Sequence, residues 1–219
     1  VFSNAGFYKS TDGGNTWRRT LASGSVTDIS INPNNQNDVV IGVSGIGIYR
    51  SSDGGETWGD PKELPYATLG RVSVQMAPSD PKTVYALIDR GTDAGAVIRS
   101  TDNGATWEII FSDPNIFGSN NQGGYDNMIA VHPTNPNLVI IGGVNLFRTT
   151  DGGANWEGIN GVHADMHCCV FSPINPSTVY VGCDGGMNRS DDAGASFTPI
   201  NTGLAVTQFH GNFAMDQTK

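Results

Sequence analysis

The sequence predicts an all-β fold, a β-propeller built of four-stranded antiparallel blades. Three observations predict it. An aspartate–glycine turn recurs five times, and a strand, Pro/Asn turn, strand motif runs in step with it four times. No stretch carries the apolar period of a helix.

The first element is the turn. "KSTDGGNTW" (Lys9–Trp17), "RSSDGGETW" (Arg50–Trp58), "RSTDNGATW" (Arg99–Trp107), "RTTDGGANW" (Arg148–Trp156) and a worn copy, "RSDDAGASF" (Arg189–Phe197), place Asp12, Asp53, Asp102, Asp151 and Asp192 at spacings of 41, 49, 49 and 41 residues. A catalytic carboxylate is needed once or twice per site, whereas a fold element is needed once per unit. The chemistry of a tight hairpin turn fits. Asp and Ser/Thr side chains accept turn N–H groups, Gly permits positive φ, and Trp17, Trp58, Trp107, Trp156 or Phe197 covers a hydrophobic gap beside the turn. No acidic residue recurs where an EF-hand loop would close its calcium shell.

The second element precedes each turn. "ISINPNNQNDVVIGV", "VQMAPSDPKTVYALI", "IAVHPTNPNLVIIGG" and "CVFSPINPSTVYVGC" each give a strand, a Pro/Asn turn and an apolar second strand. Pro33, Pro78, Pro133 and Pro173 end the first strand, where a missing N–H does least harm. A third strand leads into each aspartate turn and a fourth leaves it. With strands A to D, this gives blades over about 22–64, 65–112, 113–160 and 161–202, a partial blade over 1–21, and the start of a further one over 203–219. The opening "VFSNAGFYKS" has no charged n-region and no apolar h-region. Both ends read as cut within a repeat, so the expectation is an incomplete segment of a larger propeller, whose missing blades or further domains are partners in the same chain.

Composition narrows the function classes. Charged residues make up 15% of the chain, Gly is abundant at 29 copies, and the net charge is −9. An acidic chain argues against nucleic acid and anionic membrane surfaces as partners, since both need a basic patch. Cys168, Cys169 and Cys183 are an odd number and read as small buried hydrophobes rather than a disulfide framework.

Topology sorts the candidate site residues. In an antiparallel blade the A–B and aspartate turns share one face, and the D–A connections and B–C turns share the other, over the channel. Lys9, Arg50, Arg99, Arg148 and Arg189 stand in the same place before each turn and belong to the repeat, leaving Arg18, Arg19, Arg71 and Arg90 outside it. The strongest irregularity is "GVHADMHCC" on a D–A connection. On an extended strand His163, Asp165 and His167 would point to one side. Asp184 on the B–C turn of the same blade, and His210 by blade register, join them. These residues are candidate ligand contacts, with His163, Asp165, His167 and His210 candidate ligands of a divalent metal ion. The preceding blade adds Tyr125, Asp126 and Asn145, an aromatic ring with polar groups that suits sugar hydroxyls. Asp126, Asp165 and Asp184 are the carboxylates on that face with access to glycosidase-type chemistry.

The turn pattern Ser/Thr-x-Asp-x-Gly-x-Thr-Trp resembles the Asp-box, or BNR repeat, found in sialidases, sortilin-like receptors and xyloglucanase-type glycoside hydrolases. The resemblance covers nearly the whole chain and implies a propeller with the box at the blade rim, away from the ligand face. It implies function less firmly. The arginine triad and the tyrosine with an acidic partner of a sialidase site are not visible. The H-x-D-x-H run from His163 to His167 resembles sequences of bacterial Asp-box proteins, so the expectation is a binding or scaffold module of a secreted or cell-surface bacterial protein, whose partner is a polysaccharide or a protein. A xyloglucanase-like hydrolase and a sortilin-like peptide receptor are the alternatives.

Overall fold

The computed structural model describes residues 2–3, 6–62, 64, 70–91, 94–119 and 122–203. The first sheet holds β1 (Phe2–Ser3), β2 (Gly6–Lys9) and β3 (Arg18–Leu21); the second holds β4 (Ser25–Ile31), β5 (Val39–Ser44) and β6 (Gly47–Ser51). The third is four-stranded: β7 (Val72–Ala77), β8 (Asp80–Asp89), β9 (Gly95–Ser100) and β10 (Glu108–Asp113). So is the fourth, with β11 (Met128–Val131), β12 (Val139–Gly142), β13 (Leu146–Thr149) and β14 (Glu157–Ile159). The fifth holds β15 (Met166–Phe171), β16 (Val179–Cys183), β17 (Gly186–Ser190) and β18 (Thr198–Pro199). All pairings are antiparallel and run in sequence order. The chain is a β-propeller segment.

Strand alternation explains why the second strands are apolar throughout. In β8, Val84, Ala86 and Ile88 face a core shared with Val40 and Ile48 of the second sheet. Tyr85 and Leu87 face the other way, toward Val131, Val139 and Ile141 of the fourth. In β12, Ile140 turns from Val139 and Ile141 to meet Met166, Val179 and Val181. A strand between two blades is buried on both faces, so its sequence reads as a continuous apolar run rather than an alternating one. Each fully buried Ile or Leu contributes about 2 kcal/mol through area removed from water.

Neighbouring inner strands do not pair by backbone. Side chains of one strand satisfy the free N–H groups of the next. Val72 N donates to Thr27 Oγ1 at 3.3 Å, Val74 N to Asp28 Oδ2 at 2.9 Å, and Met76 N to Ser30 Oγ at 2.9 Å. Val131 N donates to Gln75 Oε1 at 3.0 Å. Without these acceptors the inner edge would carry orphaned donors.

At the rim the five turns share one geometry. In the second sheet Ser51 Oγ donates to Asp53 Oδ1 at 2.7 Å and accepts from Gly55 N at 2.8 Å, while Asp53 Oδ1 accepts from Thr57 N at 2.9 Å. Asp12, Asp102, Asp151 and Asp192 bond in the same way to the residue four positions on. The residue after each aspartate is left-handed, at φ of 71° for Gly54, 66° for Asn103, 74° for Gly152 and 56° for Ala193. Phe7 meets Trp58 edge-on at 4.9 Å, and Phe111 stacks on Trp156 at 5.0 Å.

The second sheet departs from the four-strand pattern. Among the described residues beyond Trp58, the backbone bonds to β6 through Gly59 N to Arg50 O and Lys62 N to Ile48 O, both 3.0 Å, with an isolated bridge between Ile48 and Lys62. Pro61 between them has no N–H to continue a ladder. All three cysteines are free thiols, with Cys168 and Cys183 buried.

Candidate functional site

The site lies at the channel end opposite the aspartate turns and is built from a short helical turn, a bulge and a left-handed residue. Gln122–Gly124 forms a 3-10 turn whose Gln122 carbonyl accepts from Tyr125 N at 2.7 Å and Asp126 N at 2.8 Å. Gly123 leaves no room for a side chain, since a Cβ there would come within 2.7 Å of the Phe117 ring and 2.8 Å of Asp89. The turn sends the two following side chains opposite ways. Asp126 is fully buried and Tyr125 is 48% exposed.

His167 is the bulged residue of β15. Met166 pairs with Cys183 and Cys168 with Gly182, so nothing stands opposite residue 167. A bulge re-aims a side chain out of the regular alternation. The imidazole is thereby set between two carboxylates, with Nε2 2.6 Å from Asp184 Oδ1 and Nδ1 3.3 Å from Asp126 Oδ1. The Tyr125 ring meets it edge-on, centroids 5.2 Å apart. Asp165 closes the cluster at φ +66°, outside any strand. Its carboxylate accepts from Gln122 Nε2 at 3.3 Å, and its carbonyl accepts from Asp184 N at 3.2 Å.

Burial dominates the electrostatics. Neither Asp126 oxygen receives an aligned hydrogen bond, and the approach to His167 is an ion-pair contact only. Burial first, then the charge of Asp165, pushes the Asp126 carboxyl up to about 7, against the pull of His167. A proton retained by Asp126 can be donated to Asp165, which gives the sealed carboxyl a partner. The result is a buried acid, a histidine and a partly exposed carboxylate in series. Asp126 and Asp184 address opposite nitrogens of one imidazole.

Tyr125, Asp126, Asp165, His167 and Asp184 thus come together. His163 does not join them, because the alternation expected of residues 163–167 is broken: β15 begins at Met166 and Asp165 is left-handed. His163 is exposed, sits over Gly185, and its Nδ1 lies 3.0 Å from Ala164 O. Asn145 is exposed in the adjacent B–C turn and donates to Asn115 O at 2.7 Å. Among the described residues no three His, Cys, Asp or Glu side chains are arranged to hold a metal ion, so the proposed His163, Asp165, His167 ligand set is not formed. His210 lies outside the described residues.

From His167 the surface opens into a cavity of about 440 Å³ along the inner strands, walled by Thr27, Ser30, Ser73, Gln75 and Asn127. Two further residues join the cavity: Arg71, which the sequence marks only as an arginine outside the repeat, and Asp28, which it does not mark. Arg71 reaches the next blade, donating from Nη1 to Tyr125 O at 2.8 Å while its Nε is buried without a partner. Asp28 is raised to about 6 by burial, opposed by the N–H donors of Val74 and Ile29 and by Arg71. Alignment of the inner strands on their prolines offers a signal: Asp28 stands where the other blades have Ser73, Met128 and Cys168.

No protein-family model matches the chain. It is 32% identical over 96 residues to a xyloglucanase of Hypocrea jecorina, covering 40% of this chain and 12% of that protein. Over 147 residues it is 29% identical to a probable oligoxyloglucan-reducing end-specific xyloglucanase of Neosartorya fischeri, covering 60% of this chain and 18% of the relative. The chain therefore spans less than a fifth of these relatives. Among solved structures the GH74 xyloglucanase of Xanthomonas campestris superposes with a TM-score of 0.68 at 20% identity, over 92% of this chain and 33% of that one. The likeness shows the fold.

Proposed function

We propose that the chain is an extracellular carbohydrate-binding propeller module of the Asp-box type, within a secreted or surface protein, and that it takes a polysaccharide strand across the channel face. The observation that carries this reading is Tyr125, exposed at the mouth of a polar cavity and set edge-on to a histidine pinned by two carboxylates. A sugar offers an apolar C–H face and a ring of hydroxyls. Tyr125 suits the first, while Asp184, His167 and the hydroxyl and amide groups of the cavity suit the second. The xyloglucanase relatives support a β-linked glucan as the ligand class.

Isothermal titration with xyloglucan oligosaccharides tests it. Tyr125→Ala is expected to weaken binding about tenfold, the scale of one lost aromatic contact plus its area, and Tyr125→Phe to retain it. Glycan binding that is absent, or indifferent to Tyr125, would overturn the reading. The relatives also favour a hydrolase as the alternative. The arrangement of Asp126, His167 and Asp184 does not support it as an acid–base pair, and reducing-sugar release by this chain would revive it.

A further inference from the structure

The second sheet breaks the repeat, and the break leaves a groove at its junction with the third sheet. Thr20 and Leu21 follow the first turn's tryptophan by three and four residues, Ile110 and Phe111 the third's. The second sheet has Pro61 and Lys62 in these places. Elsewhere such residues finish the next blade's turn. Thr20 Oγ1 accepts from Trp58 Nε1 at 3.2 Å, and Phe111 stacks on Trp156 at 5.0 Å. Pro61 offers no acceptor and Lys62 no ring. Trp107, the tryptophan they would serve, has a buried Nε1 without a hydrogen bond and no ring packed against it among the described residues. Trp156 Nε1 is also unbonded, but Phe111 covers that indole.

The groove measures about 370 Å³, within the range of small-molecule sites. Val40, Ile48 and Trp107 give it apolar surface, while Asp60, Lys62 and Asn103 give it polar surface. Asp60 and Lys62 are exposed, and neither side chain has a bonding partner among the described residues. Arg50, also at the groove, is already committed to Asn103 O at 2.5 Å and Asp38 Oδ2 at 2.6 Å. The chain leaves this region toward the channel end. Gly59 bonds to Arg50, Lys62 to Ile48, and Leu64 is buried in the core with Val72.

We propose that this groove is a binding site for one ring of a neutral sugar chain, separate from the channel site and independent of it. A pyranose offers its C–H face to the Trp107 indole. A sugar hydroxyl beside Pro61 takes the place that Thr20 Oγ1 holds on Trp58. Asp60 accepts from further hydroxyls and Lys62 donates to them. The two charges at the groove oppose each other, so neither an acidic nor a basic ligand gains a net attraction there. An apolar side chain of a partner would meet the indole but leave the Trp107 N–H unanswered.

An NMR titration of the Tyr125→Ala chain, whose channel site is weakened, tests this. The four tryptophans give four indole N–H signals, and Trp107→Phe identifies that of Trp107. Cellotetraose, mannotetraose and xylotetraose serve as probes, each up to about 10 mM. The Trp107 signal is expected to shift saturably with at least one, half-complete near about 1 mM, while those of Trp17 and Trp156 stay in place. Asp60→Ala and Lys62→Ala, at exposed positions, should each weaken that binding about three- to tenfold. A Trp107 signal unmoved by all three sugars would overturn the proposal. So would a shift indifferent to both substitutions, or one that follows protein concentration without sugar and so assigns the groove to a second copy. The channel reading is judged on Tyr125 in the parent chain, so either site can fail alone.

Discussion

Asp53 at the rim receives Ser51 Oγ, Glu56 N, Thr57 N and Thr57 Oγ1. Asp126 at the channel face receives no aligned hydrogen bond. The carboxyl of Asp53 is held at about 2, first by the Thr57 hydroxyl, then by the Thr57 N–H and by Ser51. Asp12, Asp102, Asp151 and Asp192 sit at about 2 for the same reasons. Asp126 goes the other way, to about 7, and Asp28 to about 6, because desolvation outweighs what neighbours offer the charge. Local donors fix the charge of a rim aspartate wherever the chain turns. A channel aspartate depends on what other blades bring over it. The rim is therefore repeatable architecture, and the channel face is where individual residues acquire individual chemistry.

The sharpest way to break the contrast is to remove the imidazole from the channel cluster. With His167→Ala, Asp126 would keep its burial and its repulsion from Asp165 and lose the one group that favours its charge. The expected loss is about 1–3 kcal/mol near pH 8, where the ionised Asp126 is left without the neighbouring imidazole. Near pH 5 Asp126 is protonated and the loss should shrink. Urea unfolding at the two pH values reads both. An equal loss at both would mean that His167 matters by packing alone.

Neutralising the acids should have the opposite sign. A carboxyl with a raised folded pKa holds more protons folded than unfolded between its two pKa values, so it subtracts stability as pH climbs through that window. For Asp126 the window runs from 3.8 to about 7, and for Asp28 from 3.8 to about 6. Asp126→Asn is expected to raise stability near pH 8 by roughly 2–4 kcal/mol relative to its effect at pH 4. Asp28→Asn should give less, about 1–3 kcal/mol, since Asp28 already accepts from Ile29 N and Val74 N. A stability profile that stays flat between pH 4 and 7 in the parent chain would contradict both.

What the sequence makes legible follows the same division. The turns are readable because each states its own hydrogen-bond needs within nine residues, five times over. The meeting of His167 and Asp184 is readable because D–A and B–C segments share an end of every antiparallel blade. His163 misleads because strand alternation was extended through Asp165, and a left-handed non-glycine residue leaves no mark in a sequence. Asp28 looks like a solvated aspartate in "VTDIS", since its burial comes from strand β7, whose Val74 N it accepts. Arg50, Arg99 and Arg148, each before a turn, look like simple repetition for a related reason. Their target is a backbone carbonyl one blade on, which no side-chain pattern announces.

The smallest effect expected is at the rim. Asp53→Ala removes acceptors from Glu56 N, Thr57 N and Thr57 Oγ1, but these groups lie near water, which replaces part of what is lost. The midpoint of thermal unfolding should fall modestly, and amide exchange should quicken at Glu56 and Thr57 while Gly55, held by Ser51 Oγ at 2.8 Å, stays protected. Because the folded pKa is lowered, the stability that Asp53 supplies is complete above 3.8 and is lost as pH falls toward about 2. The parent and the variant should thus converge in acid and separate at neutral pH, the reverse of the pattern at Asp126. Glycan binding at the channel face should be untouched. A folded Asp53→Ala chain that lost binding would mean that the rim and the channel are coupled, and the division between them would fail.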